Sequence, residues 1–385
     1  MEGMNREWGI YIHIPFCLRK CSYCDFYSET AFDEETLNAY VRALLREIDL
    51  VEIKEEMDLV SVYIGGGTPS LLKGEHIDLL LRKIKDRCGL KDEAEITIEA
   101  NPATLDESRI CRFYEAGVNR FSLGVQSFVD EELKTLSRMH NAGEVWQTVE
   151  ALQRAGVKNY NLDLIYGIPG QTEASWRYSL KKAVDCSPSH ISAYLLQLNE
   201  EVPMAKAVRR GELRLLPEEK ERSLYYLAID YLNRHGFEQY EISNFCRDRL
   251  VCRHNLVYWR AGEYIGLGAG AVSYLNGRRF LNIPSVAGYI KNLQQGLLPA
   301  REELEYMATR EEKALDAIIL GLRLCRGINL AEFKERFGID IGEKYKNIIR
   351  RYEEEKLLAV EDGYMYLTQK GYFLSNQVLI GFIGG

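Results

Sequence analysis

The chain predicts an α/β protein, a partial (β/α)6 TIM-like barrel followed by a smaller helical, winged-helix-like C-terminal domain. Three observations carry that expectation. Apolar or alternating runs near residues 9–15, 59–64, 95–99, 119–125, 160–166 and 189–195 are each followed by a helical pattern, which implies parallel strands with right-handed crossovers. No G-x-G-x-x-G follows the first run, so a dinucleotide-binding sheet lacks its fingerprint. Unusual polar residues recur where the runs end, the rim on which such barrels carry their sites.

Gly9-Ile-Tyr-Ile-His-Ile-Pro15 alternates as a strand and leads into Cys17-Leu-Arg-Lys-Cys21-Ser-Tyr-Cys24. Three cysteines within eight residues can serve one metal centre as thiolates. The residues alone leave open a cubane cluster with one iron free of protein ligands, a zinc site completed by His13, or a loop of reduced thiols. Residues 33–54 then place Leu37, Tyr40, Val41, Leu44, Leu45 and Ile48 at helical spacing behind Asp33 as N-cap. Leu59–Ile64 reads as a buried strand that stops at Gly65-Gly-Gly-Thr-Pro69. Helices are expected at 75–87 and 106–116, around a strand that Glu99 closes. Gln126 closes the fourth strand, and Asp163 lies in the fifth before Gly167-Ile-Pro-Gly170. Singly, the glycines could be a tight turn, the carboxylates caps and Gln126 a core amide. Their joint placement on one rim favours a site.

At 385 residues the chain is long enough for one large domain and a smaller one, expected as 1–235 for the barrel, 236–300 for a connecting region and 301–385 for the C-terminal domain. No apolar run approaches the ~20 residues of a membrane span. The first residues, Met-Glu-Gly-Met-Asn-Arg-Glu, lack an apolar export signal, so a cytoplasmic location is expected. A net charge of −8 and pI near 5.5 argue against a broad nucleic-acid footprint. Nine cysteines, an odd number, do not read as a disulfide framework. Cys88, Cys111, Cys186 and Cys325 read as inert buried thiols, and Cys246, Cys252 and His254 as a weak second metal candidate.

An amphipathic helix is expected over 217–234, followed by the hexapeptide His254-Asn-Leu-Val-Tyr-Trp259. A histidine beside exposed aromatics in a loop can be an axial ligand for a porphyrin, and the same residues can pack at a domain seam. Gly266-Leu-Gly-Ala-Gly270 lacks the G-K-[ST] of a phosphate loop and reads as backbone packing. A boundary is expected between Pro284 and Pro299, then helices at 309–325, 330–337 and 342–356 and a hairpin turning at Asp362-Gly363. From residue 301 onward 13 Lys/Arg face 15 Asp/Glu, so this winged-helix-like end reads as a docking or packing module rather than a DNA binder.

The C-x3-C-x2-C triad, the prefix Tyr11-Ile-His-Ile-Pro-Phe-Cys17 and Gly65-Gly-Gly-Thr-Pro69 resemble the radical S-adenosylmethionine (SAM) family. The branch they resemble contains oxygen-independent coproporphyrinogen III oxidase and the related heme chaperones. The resemblance implies a [4Fe–4S] cluster on Cys17, Cys21 and Cys24, with SAM chelating the open iron and cleaved to a 5′-deoxyadenosyl radical. It assigns Tyr11, Tyr23, Gly66, Gly67, Thr68, Glu99, Gln126, Arg138 and Asp163 to SAM. The H-N-x-x-Y-W pattern resembles the mark of the heme chaperones and implies a heme site at His254, Asn255, Tyr258 and Trp259, with heme as cargo for recipient hemoproteins. The alternative is a coproporphyrinogen III oxidase that decarboxylates propionates. Phe26 stands where that oxidase carries a further cysteine, and the first strand begins by about residue 8 without the oxidase's longer N-terminal region. A third reading is a zinc-stabilised interaction protein. No residue is assigned a catalytic role, and turnover of SAM, a homodimer and peripheral membrane contact are left open.

Overall fold

A computed structural model describes residues 7–52, 58–307 and 309–384. The N-terminal residues 1–6, read as lacking an export signal, and positions 53–54 of the first expected helix lie outside the described residues.

Six parallel strands follow one another in space as they do in sequence: β1 (Glu7–Ile14), β2 (Asp58–Gly66), β3 (Glu95–Ala100), β4 (Arg120–Gln126), β5 (Tyr160–Tyr166) and β6 (His190–Leu195). Several of the helices between them start on side-chain caps. Asp33 accepts from Thr36 N at 2.8 Å to open Glu34–Leu50, and Asp106 from Arg109 N at 2.8 Å to open Glu107–Glu115. One face of each strand packs under these helices, through Ile10, Ile12 and Ile14 of β1 and Val62 and Ile64 of β2. Tyr40, Leu44, Leu80 and Ile84 meet them from the helices, forming the main core.

The alternate positions face the other way and are polar. Register aligns Gly9 with Ser61, Tyr11 with Tyr63 and His13 with Gly65, then Ser61 with Glu95, Thr97 with Arg120 and Glu99 with Ser122. Asn161 and Asp163 continue the row beside His190 and Ser192. The barrel interior is therefore lined by hydrogen-bonding groups, and among the described residues no pairing closes β6 onto β1.

Residues 236–300, expected to connect two domains, instead extend the sheet at both edges. The strands β7 (Glu238–Glu241) and β8 (Asn244–Cys246) join beyond β6. The strands β9 (Tyr264–Leu267), β10 (Val272–Leu275), β11 (Arg278–Asn282) and β12 (Arg301–Tyr306) join beyond β1, giving this sheet 12 strands among the described residues. The pairing of β9 with β1 is parallel. Pairing thus runs past the expected boundary at 300. Gly266 belongs to this packing, because a Cβ there would lie 2.1 Å from the Val272 carbonyl oxygen.

A second core, made chiefly by residues 314–382, holds the helices Arg310–Gly321 and Leu330–Phe337 and a three-stranded sheet of β13 (Ile328–Asn329), β14 (Leu358–Glu361) and β15 (Tyr364–Leu367). Asp362 and Gly363 make the β14–β15 turn at φ 51° and 78°, as the winged-helix reading requires. The single helix expected over 342–356 is two, Ile341–Lys344 and Lys346–Glu354. Among the described residues, no helix is long and apolar enough to cross a membrane.

Candidate functional site

The rim of the barrel collects the residues singled out above. The cysteine loop leaves β1 and is pinned where Cys17 N donates to Glu29 O at 3.0 Å and Cys24 N to Cys21 O at 3.3 Å. All three thiols are half-buried and free. Thr68 Oγ1 donates to Cys17 Sγ at 3.6 Å, and Arg138 Nη1 to Cys21 Sγ at 3.4 Å. Burial pushes the Cys24 thiol up to about 11, and Cys21 and Cys17 add to it. A metal bound there would be the largest local charge, and would reverse that balance and hold the thiolates.

The end of β2 reaches the same place. Gly67 N donates to Ile14 O at 2.9 Å and Thr68 N to Phe16 O at 2.8 Å. A Cβ on Gly67 would lie 2.7 Å from the Phe16 carbonyl oxygen, so only glycine lets the two strand ends come this close. Glu99 accepts from Tyr63 Oη at 2.9 Å and from Gly66 N at 3.1 Å. Burial and the neighbouring Asp163 carboxylate raise its carboxyl to about 7. Asp163 is also raised, chiefly by burial, although it accepts from Asn161 Nδ2 at 2.8 Å and Ser122 Oγ at 3.0 Å.

Gln126 is left-handed, at φ 68°, and its amide lies with the Arg138 guanidinium over Gly124. Arg138 is anchored by Nη2 to Gly124 O at 2.7 Å, while its Nε is buried without a partner. Tyr23 packs beside Leu136 and Ile165, and Tyr11 Oη pairs with His13 Nδ1 at 3.1 Å. His13 spends its other nitrogen on Tyr27 O at 2.9 Å, so it is not placed to complete a zinc site.

The hexapeptide departs from expectation. It is not an exposed loop but a helix, Arg253–Trp259, and His254 is 1% exposed. Its Nδ1 pairs with Ser61 Oγ at 2.9 Å and its Nε2 with Tyr258 Oη at 2.7 Å. Burial, with help from the Arg120 charge, lowers its pKa to about 3, so the ring is neutral. Cys252 points to Glu95 Oε1 at 3.5 Å, and Cys246 sits in β8 opposite His190. These two cysteines and His254 therefore do not form the second metal site considered above. On the outer side of the helix, Tyr258, Trp259, Tyr264, Tyr274, Arg279 and Asp316 line a cleft of about 260 Å³. Asn255 is half-buried on the same helix.

Known proteins resemble the chain along its whole length. A heme chaperone HemW of Bacillus subtilis (strain 168) is 34% identical over 379 residues, covering 97% of this chain and 98% of that one. Another, from Synechocystis sp., is 38% identical over 327 residues, 84% of this chain and 79% of that one. The chain belongs to the heme chaperone HemW family. As for other radical SAM proteins, the model of the radical SAM superfamily matches, here over residues 11–183, and that of the HemN C-terminal domain matches 308–374. The fold is similar to that of coproporphyrinogen III oxidase (HemN) from Escherichia coli, with a TM-score of 0.80 at 21% identity over 98% of this chain and 90% of that one.

Membership of the radical SAM superfamily implies a [4Fe–4S] cluster and SAM. The residues of this HemW-family chain fit both. Among the described residues no three His, Cys, Asp or Glu side chains converge on a single ion. A cubane binds its cysteines on different irons and asks for a ring of thiolates around a loop, which the triad offers. The orphaned Arg138 Nε and the paired carboxylates at Glu99 and Asp163 are what a zwitterionic ligand with ribose hydroxyls requires. Sequence reasoning missed Tyr63, Ser122, Asn161 and Gly9. The period of two in Ser61-x-Tyr63-x-Gly65 and Arg120-x-Ser122-x-Gly124 was the signal that could have found them.

Proposed function

We propose that the chain binds heme and passes it to recipient hemoproteins, with Cys17, Cys21 and Cys24 holding a [4Fe–4S] cluster and the rim holding SAM. The observation that carries this reading is the full-length match to heme chaperones at 34% identity. When bound, the cluster with SAM supplies radical chemistry. Arg138 is assigned to the SAM carboxylate, Glu99 and Asp163 to its ammonium and ribose hydroxyls, and Gly66, Gly67 and Thr68 to close backbone contact.

Heme is assigned to the cleft beside Tyr258 and Trp259. Heme is a flat apolar ring, and the cleft offers it four aromatic side chains beside an Arg279 guanidinium already paired with Asp316 and Glu305. At about 260 Å³ it covers only part of such a ring, which leaves an open edge for transfer. The Trp259 indole N–H is buried without a partner there, and the Arg323 guanidinium stacks on its ring at 4.3 Å. The first expectation made His254 the axial ligand. Coordination through either of its nitrogens would cost a buried hydrogen bond, so the aromatic face is the better assignment. Likeness to the oxidase extends to fold, and Phe26 is 63% exposed at the mouth of the cysteine loop.

The test is heme titration of anaerobically reconstituted protein. Trp259→Ala and Tyr274→Ala should each weaken heme binding roughly 5- to 30-fold, the effect of losing an aromatic anchor of about 1–2 kcal/mol, with iron content unchanged. Cys17→Ser should lose most of the iron and keep heme affinity. Wild-type heme affinity in both aromatic variants would move heme elsewhere.

A further inference from the structure

We infer that His254 is a positioning residue for SAM, acting from the floor of the barrel through Tyr63 and Glu99. This rests on the placement of SAM at Glu99 proposed above.

Three observations converge on it. The imidazole occupies space that a side chain on β1 would need. A Cβ at position 9 would lie 2.9 Å from His254 Nδ1 and 2.9 Å from Ser61 Oγ, and Gly9 leaves that place empty for the ring. The ring is then the bottom of an aromatic stack. Its centroid is 5.2 Å from that of Tyr63 at an interplanar angle of 28°, and 6.4 Å from that of Tyr11 at 32°, while Tyr11 and Tyr63 stack on each other at 6.2 Å. The top of the stack touches the rim on two sides. Tyr63 Oη donates to Glu99, and Tyr11 Oη reaches His13, whose Nε2 holds the carbonyl of Tyr27 just after the cysteine loop.

The chemistry of the contacts fixes the direction of the argument. A neutral imidazole with both nitrogens engaged has one orientation, so it offers Tyr63 a flat, fixed surface. The Tyr63 hydroxyl in turn fixes Glu99 Oε1, leaving Gly66 N to fix Oε2. The carboxylate is thus held at both oxygens before any ligand arrives, which reduces the ordering cost of binding. Removing the ring frees Tyr63 to drop toward the floor and take its hydrogen bond away from Glu99. The main chain of His254 is held separately, its N–H donating to Glu95 Oε1 at 3.3 Å, so the helix is anchored apart from the ring.

The experiment is calorimetric titration of SAM into reconstituted holoprotein, with iron content and the heme absorption band read on the same samples. His254→Ala should weaken SAM binding roughly 2- to 30-fold, the range for couplings of about 0.5–2 kcal/mol. His254→Gln, whose amide can meet both Ser61 and Tyr258, should recover most of the loss, which a general packing defect would not allow. Tyr63→Phe, which keeps the ring and removes only the hydroxyl, should reproduce the His254→Ala loss with full iron content. Glu99→Gln separates the two levels. If it leaves SAM affinity unchanged, the placement of SAM fails; if it weakens SAM while His254→Ala and Tyr63→Phe do not, the placement stands and the positioning role is overturned. A heme band that shifts in His254→Ala with SAM affinity intact would return His254 to the role of heme ligand.

Discussion

Glu99 shows what burial does to a single side chain on this rim. Its carboxyl titrates near 7 rather than the usual 4.5, because it is out of water and faces Asp163. Below about 7 it carries a proton that a hydrogen-bonding ligand must displace. Affinity for SAM should therefore rise about tenfold from pH 6 to pH 8, the factor for one group titrating at about 7 when only its ionised form binds. Calorimetry across that range checks it, and a flat profile would take Glu99 out of contact with SAM; Glu99→Gln should flatten the profile. The sign for folding is opposite. A carboxyl raised in the folded state binds its proton more tightly there than in the unfolded chain, so it withdraws stability as pH climbs from about 4.5 to about 7. The place of Glu99 at the end of a strand was legible in the sequence. Its pairing with Tyr63 was not, because the tyrosine looked like one more apolar residue in a buried run.

At the scale of the element, the hexapeptide helix is where sequence reasoning and structure part. The pattern of residues was visible, but the aromatic neighbours suggested exposure, and nothing local said that the histidine would turn inward. The reason lies some 245 residues away, in a strand whose first inward position is glycine. Gly9→Ala should therefore act as a core overpacking change and cost about 1–3 kcal/mol, read as a lowered melting temperature. In a His254→Ala background the same change should cost less, since the imidazole it collides with is gone and Ser61 Oγ, at 2.9 Å, remains. Equal costs in both backgrounds would mean that the strand rejects a methyl group for reasons unrelated to the ring. By contrast, the helix Glu34–Leu50 was legible nearly to its ends, because its cap and its apolar stripe are both local signals.

Across the whole molecule, the six parallel strands were legible because each buries one face under a helix and so carries an apolar signal at every second position. The strands at 238–306 were not, since β7 and β8 are short and all six positions of β12 are exposed. Their presence sets how the two cores meet. Asp316 of the second unit pairs with Arg279 of β11 at 2.8 Å and forms a wall of the aromatic cleft, and Arg336 donates to Ala261 O at 2.7 Å. A chain ended after Met307 should keep the iron and SAM affinity that we assign to the first core, and should bind heme more weakly. Unaltered heme titration of that shortened chain would separate the cleft from the cargo. The parallel pairing of β1 with β9 also has a meaning in time. Gly9 lies against Tyr264, so the opening strand gains its second neighbour, and the barrel its floor, only after about 255 further residues have been added. At ~5–20 residues per second that is roughly 10–50 s of synthesis. For most of that interval the strand that leads into the cysteine triad has one flank bare, an open sheet edge that other chains can pair with until β9 covers it.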